Sequence, residues 1–285
     1  MTKIYRETIQ LKEAELFYYD TEEEKPVIIC LHGLYGRAET WSDFISHYGE
    51  KYRILAPDFR GHGRSSKPDG YYTMDEMGED IAEMLQKLKI KTAIFVGHSM
   101  GGAVAGYLAA TYPKKVKAVA ILDKTAKGPE KHMPRLASQI KEEDVFTGNW
   151  KDVFDTRKEA IQCIEASSES ELETQYFINS LIEEKSGYRF LFSKKAVAAY
   201  RANYCEWMEL LFKIKCPTLF VKSAGEETTS SQDLEEMKIC VNKAVLYTMA
   251  SENHNVHLSD PEEFYKIFDL FLEKEVLQFS LMRTM

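Results

Sequence analysis

Residues 8–12 alternate polar and apolar side chains, and after Lys12 and Glu13 a second short apolar run fills residues 16–19. An alternating run and a short apolar run on either side of a short polar break predict an antiparallel hairpin. Beyond it the pattern changes. Short runs that are apolar on both faces recur at 27–31, 54–56, 93–96, 116–122, 219–221 and 244–247. Such runs fit strands of a parallel sheet buried between two helix layers. The intervals between them have helical character, most plainly over 74–88, where Thr73 can cap the start with Glu76 three residues on. Strands alternating with helices predict an α/β class with a doubly wound, mostly parallel sheet.

One interval breaks this rhythm. Residues 125–215 read as helical, rich in charge and aromatic rings, and Cys216-Pro217 then restarts the strand pattern. The expectation is a core domain made of residues 1–124 and 216–285, with 125–215 inserted as a helical cap. The aromatic residues of that interval, Phe146, Trp150, Phe154, Tyr176, Phe177, Tyr188, Phe190, Phe192, Tyr200, Tyr204 and Trp207, are expected mostly to build a small core of its own, with some facing the sheet. The acidic stretch 165–173, EASSESELE, reads as a solvated helix start or loop.

Composition narrows the function classes. A chain of 285 residues with 44% hydrophobic content has room for a packed core, and its net charge of -8 argues against nucleic acid or anionic lipid as partner. Five cysteines, widely spaced and without a CxxC pair, suggest neither a disulfide framework nor a zinc site. The first twenty residues lack the pattern of a signal peptide, and no apolar stretch approaches the ~18 residues of a membrane span. A cytoplasmic protein is expected. Its oligomeric state is not legible.

The chemistry gathers at FVGHSMGG, residues 95–102. A Gly-x-Ser-x-Gly match is weak alone, but here Ser99 falls between a strand ending near Val96 and a small-residue helix that stops before Pro113. This is a strand-to-helix turn that pushes a serine hydroxyl out at the sheet edge, with Gly97 and Gly101 where a side chain would collide. The Met100 N–H, at the helix start, can face an anion there. A serine nucleophile needs a base, and SENHNVHLSDPEEF, after the last strand, offers His254 and His257. The loop HGLYG after residues 27–31 can present the Leu34 N–H as a second oxyanion donor beside Met100.

With LHGLYG (31–36), PDFRGHGRS (57–65), GHSMGG (97–102), CPTLFV (216–221) and HNVHLSDPEEF (254–264), the chain resembles the α/β-hydrolase superfamily. The likeness is to its capped serine hydrolases, the group of carboxylesterases, enol-lactonases and meta-cleavage C-C hydrolases. It implies His254 as the base, with Asn253 where the family usually has glycine, and a structural place for His257. It also implies an acid in the loop after residues 219–221. That loop reads KSAGEETTSSQD, which puts Glu227 at the acid position with Glu226 adjacent and Asp233 further along. Asp123, after residues 116–122, is the rival acid, otherwise a capping residue at the entrance to the insertion.

Other motifs are absorbed by the fold. FRGHGRSS lacks the third glycine, the following helix and the Gly-Lys-Ser/Thr of a phosphate loop, so Asp58, Arg60 and His62 are expected to do structural work. His32 is expected to hold the oxyanion loop, and His47, His98 and His132 carry no pattern. No metal and no cofactor are expected. The function expected is hydrolysis of a small to medium carboxylic ester through an acyl-enzyme on Ser99. Lactone or C-C bond hydrolysis with the same triad, or a ligand receptor built on a hydrolase frame, are the alternatives. For the C-C hydrolases a substrate carboxylate would need Arg135, Arg157, Arg189 or Arg201, all of which otherwise read as surface arginines.

Overall fold

The computed structural model describes residues 2–22 and 24–277. The hairpin forms as β1 (Tyr5–Gln10) and β2 (Glu15–Asp20), closed by a Leu11 N–H bond to the Ala14 carbonyl. β2 also pairs antiparallel with β4 (Arg53–Pro57). β4 continues into a parallel set with β3 (Val27–Leu31), β5 (Ala93–His98), β6 (Val116–Leu122), β9 (Thr218–Lys222) and β10 (Ala244–Thr248). The eight-stranded order is β1-β2-β4-β3-β5-β6-β9-β10.

Each central strand splits its side chains between two cores. Ile29, Leu31, Phe95, Val119 and Ile121 face one layer, and Ile28, Cys30, Ile94, Val96, Ala120 and Leu122 face the other. Burial on both faces is why these runs lack alternation in the sequence. The first layer holds α2 (Met74–Lys87), α3 (Met100–Thr111), the short α7 (Met208–Leu211) and α8 (Ser231–Cys240). The second holds α1 (Ser42–Tyr48) and α10 (Pro261–Phe271), which starts on an Asp260 cap and a first-turn proline.

α2 forms as its sequence predicts. The Thr73 hydroxyl accepts from Glu76 N–H, and Glu76 reaches back to Tyr72 N–H at 2.6 Å. It buries Met77, Ile81, Met84 and Leu85, each contributing about 1.5–3 kcal/mol.

Between β6 and β9 lie α4 (Arg157–Glu165), α5 (Glu171–Ile178), α6 (Lys194–Asn203) and α7. They are joined by a two-stranded hairpin of β7 (Leu181–Glu184) and β8 (Gly187–Phe190), which the helical reading of this interval did not anticipate. Gly187, at φ 124°, makes its turn, and Phe154 bridges to Tyr188 at its outer edge. Trp150, Phe154, Tyr176, Phe177, Phe190 and Phe192 form a separate aromatic core, whereas Tyr200 and Trp207 join the sheet's own core.

The chain runs from β3 outward to β4, then crosses back to β5 on the other side of β3. Ligands of open α/β sheets bind at such a reversal, outside the carboxyl ends of the strands. The loops after β3, β5 and β6 all end there.

Candidate active site

Ser99 stands between β5 and α3 with φ 51° and ψ -116°, a backbone region that side chains disfavour. The turn persists because its neighbours leave no alternative path. A Cβ on Gly97 would lie 2.2 Å from the Gly101 carbonyl oxygen, and one on Gly101 would lie 2.3 Å from that of Leu31. Ser99 N–H is fixed to the Leu122 carbonyl on β6 at 2.8 Å.

His254 and Asp123, 131 residues apart in the chain, meet here. His254 Nδ1 lies 2.7 Å from Asp123 Oδ2. Asp123 is fully buried at the end of β6, in a left-handed conformation with φ 44°, and its carboxylate also accepts from the backbone N–H and hydroxyl of Ser223. A carboxylate facing Nδ1 fixes the Nδ1–H tautomer and leaves Nε2 as the proton acceptor. His254 is carried between β10 and the short α9 (Val256–Ser259). Asn253 Oδ1 accepts from Asn255 N–H there, tightening the turn at the position where a glycine was expected.

This arrangement corrects the preferred acid. Glu227 is exposed in the loop after β9 and makes no hydrogen bond among the described residues. Glu226 is turned to the start of α8, where Ser231 and then Lys222 hold its carboxyl down to about 2. Asp233 bonds to Thr125 and Lys127. The loop of residues 223–230 therefore spends its carboxylates on itself and on solvent, and Asp123 alone of these four reaches the imidazole.

Ser99 and His254 line one cavity of about 430 Å³ with Leu34, Lys124, Phe146, Tyr176, Tyr200, Arg201 and Tyr204 among its walls. No hydrogen bond joins Ser99 to His254. The N–H groups of Leu34 and Met100 have no hydrogen-bond partner among the described residues. Two such donors next to a serine hydroxyl can face an oxygen that gains negative charge.

The loop that carries Leu34 is held from both sides. Below, His32 donates from Nδ1 to the Gly33 carbonyl at 2.7 Å and accepts from Phe59 N–H at 3.0 Å. Above, four hydrogen-bonding side chains come from the segment between β6 and β9. Tyr176 donates to the Leu34 carbonyl and Ser180 to the Tyr35 carbonyl. The Tyr35 hydroxyl donates to buried Asp144 and accepts from Arg201. Tyr35 and Asp144 carried no sequence signal, because their role exists only once a distant segment folds over the loop.

The remaining candidates fall into place. Asp58 accepts from Ala38 and Arg64 N–H, and its burial pushes its carboxyl up to about 6. Arg60 forms a buried two-point pair with Asp80 and a third contact to Glu76. Burial lowers His62 to about 4 and His257, stacked on Trp41, to about 3, so both stay neutral. His98, which had no pattern, packs against His254 and donates to its backbone carbonyl. Arg135 and Arg189 pair with Glu142 and Glu184, so Arg201 is the one arginine of the four at the cavity. Among the described residues no cluster of His, Cys, Asp or Glu is placed to hold a metal ion, and no helix is long and apolar enough to cross a membrane.

Comparison with known proteins agrees with this fold. Residues 26–161 match the family model described as alpha/beta hydrolase fold. The serine hydrolase-like protein of Danio rerio is 26% identical over 277 residues, covering 87% of this chain and 82% of its own. The 3-oxoadipate enol-lactonase 2 of Acinetobacter baylyi is 30% identical over 144 residues, covering 50% of this chain and 54% of its own. The solved structure of E-2-(acetamidomethylene)succinate hydrolase superposes with a TM-score of 0.78 at 20% identity, over 95% of this chain and all of that one. With the strained serine turn, the strand order and these matches together, the chain has the α/β-hydrolase fold and is similar to the enzymes of that superfamily.

Proposed function

We propose that the protein is a serine hydrolase that cleaves a small to medium carboxylic ester, with Ser99 as nucleophile, His254 as base and Asp123 as acid. The observation that carries this reading is the 2.7 Å contact of buried Asp123 with His254 Nδ1, on the rim of the cavity that Ser99 lines. Substrate binding brings Ser99 Oγ and His254 Nε2 together, a contact that commonly tightens only in the complex. His254 takes the hydroxyl proton as Oγ attacks the carbonyl, and the Leu34 and Met100 N–H groups hold the oxyanion. His254⁺, stabilised by Asp123, then gives its proton to the leaving alcohol. Water repeats the sequence on the acyl-enzyme, releasing the acid and restoring Ser99.

In this reading residues 125–215 are the cap that roofs the pocket and sets its shape. An enol-lactone is an ester closed in a ring and passes through the same steps, and the Acinetobacter relative supports it as the second substrate form. A receptor without turnover has no need of a paired acid and base beside the serine.

A fluorophosphonate probe followed by peptide mapping tests the proposal. Ser99 should carry the label, and Ser99→Ala should lose both the label and hydrolysis of p-nitrophenyl butyrate. Wild-type turnover in Ser99→Ala would refute the nucleophile.

A further inference from the structure

The cavity that exposes Ser99 also holds a cation with no anionic partner. Lys124 follows Asp123 at the end of β6, and its Cβ sits against Gly102 in the first turn of α3. Its Nζ lies 3.9 Å over the Tyr204 ring and makes no ion pair or hydrogen bond among the described residues. The neighbouring carboxylates are committed elsewhere. Asp123 serves His254 and Ser223, Asp144 serves Arg201, Tyr35 and Thr147, and Glu173 on the cavity wall accepts from Glu169 N–H. Burial, reinforced by the Arg201 charge and opposed by Asp123, pushes Lys124 down to about 8. On the same wall the Tyr200 hydroxyl is buried without a hydrogen-bond partner.

We propose that Lys124, together with the Tyr200 hydroxyl, binds a carboxylate carried by the substrate, so that the ester cleaved at Ser99 is monoanionic, such as the hemiester of a short dicarboxylic acid. The reaction named here rests on the serine-hydrolase reading, whereas the anion site does not. An ammonium and a phenol O–H left without acceptors in an aromatic pocket are both costly, and one two-oxygen monoanion satisfies both. A phosphate dianion would bring a second charge, and the other cation of this cavity, Arg201, is already paired with Asp144. Aromatic walls around about 430 Å³ leave space for a short chain between that anion and the carbonyl.

The experiment compares 1-naphthyl hemiglutarate with 1-naphthyl pentanoate, nearly equal in size and different in charge. Wild type should favour the hemiester at least tenfold in kcat/KM. Lys124→Met should cut that preference tenfold or more through KM, Lys124→Arg should restore part of it, and Tyr200→Phe should weaken it several-fold and serves if Lys124→Met does not fold. Calorimetry with glutaric acid monoamide on the Ser99→Ala protein reads the anion site without turnover, and Lys124→Met in that background should bind at least tenfold more weakly. Binding that depends on Lys124 while neither ester is cleaved would sink the hydrolase reading and keep the anion site. Cleavage of both esters without preference, or binding indifferent to Lys124 and Tyr200, overturns the inference.

Discussion

His98 donates its Nε2–H to the backbone carbonyl of His254 across 2.9 Å, so the residue just before Ser99 grips the loop that carries the imidazole. Their rings lie 4.6 Å apart, and His257 packs 4.9 Å from His98 on its other side. The serine turn and the loop of the imidazole are thus tied together by a side-chain-to-backbone hydrogen bond, ahead of any substrate.

That tie predicts a loss confined to kcat. His98→Leu removes the donor and should lower kcat on p-nitrophenyl butyrate by about tenfold or more with little change in KM, because a small misplacement of the base is costly. His98→Gln, which can still donate an N–H to that carbonyl, should recover part of the rate. Equal losses in both variants would reduce His98 to a packing residue.

The acid is decided by a direct contest. Asp123→Asn should lower kcat by about three to four orders of magnitude, as loss of the stabilising carboxylate does in serine proteases. Glu227→Gln should stay within about threefold of wild type, since an exposed bystander carboxylate contributes little to a buried pair. The opposite ranking would return the acid to the loop after β9.

Strain at the serine turn should be measurable as stability. Ser99→Ala keeps a Cβ at φ 51° and so keeps the strain, whereas Ser99→Gly removes it at some cost in chain entropy. Urea denaturation should find Ser99→Gly more stable than Ser99→Ala by about 1 kcal/mol. A less stable glycine variant would mean that the turn is held without strain.

Acid should unfold the protein steeply. His32, His62, His98 and His257 are all lowered by burial, His62 to about 4 and His257 to about 3. Below pH 6.5 the unfolded chain binds protons that these folded histidines refuse, so stability falls as pH falls. Asp58, raised to about 6, acts in the opposite sense between pH 4 and 6, and Asp80, also raised by burial, acts in the same direction as Asp58. The four histidines outnumber the two raised carboxylates, so the net effect is a loss of stability as pH falls from 6.5 toward 5. Denaturation curves at pH 7, 6 and 5 check it, and a flat dependence would contradict neutral burial of the four rings.

Much of this was legible before the structure. The strands announce themselves because a sheet covered on both faces needs continuous apolar runs, and Ser99 because its turn needs glycine at 97 and 101. His254 was singled out by its place after the last strand. The carboxylate that faces it was expected at Glu227 and lies at Asp123, because both loops hold carboxylates and only three-dimensional burial separates the two. The hairpin of β7 and β8 stayed hidden because two four-residue strands around Gly187, loaded with Glu183, Glu184 and Arg189, carry too little periodicity to read. Lys124 passed unnoticed for a related reason: a lysine beside an aspartate looks like an ordinary surface pair until its neighbours are seen to be engaged.

The grip on Tyr35 has a consequence for entry to the pocket. Tyr176, Ser180, Asp144 and Arg201 all close on residues 34 and 35, and all belong to the segment 125–215. In the proposed reading, lifting that segment would break these bonds and leave the loop of Leu34 held only from below, by His32. Asp123, His254 and Met100 would keep their places, so an open pocket would retain its imidazole and lose the upper hold on one of its two proposed oxyanion donors.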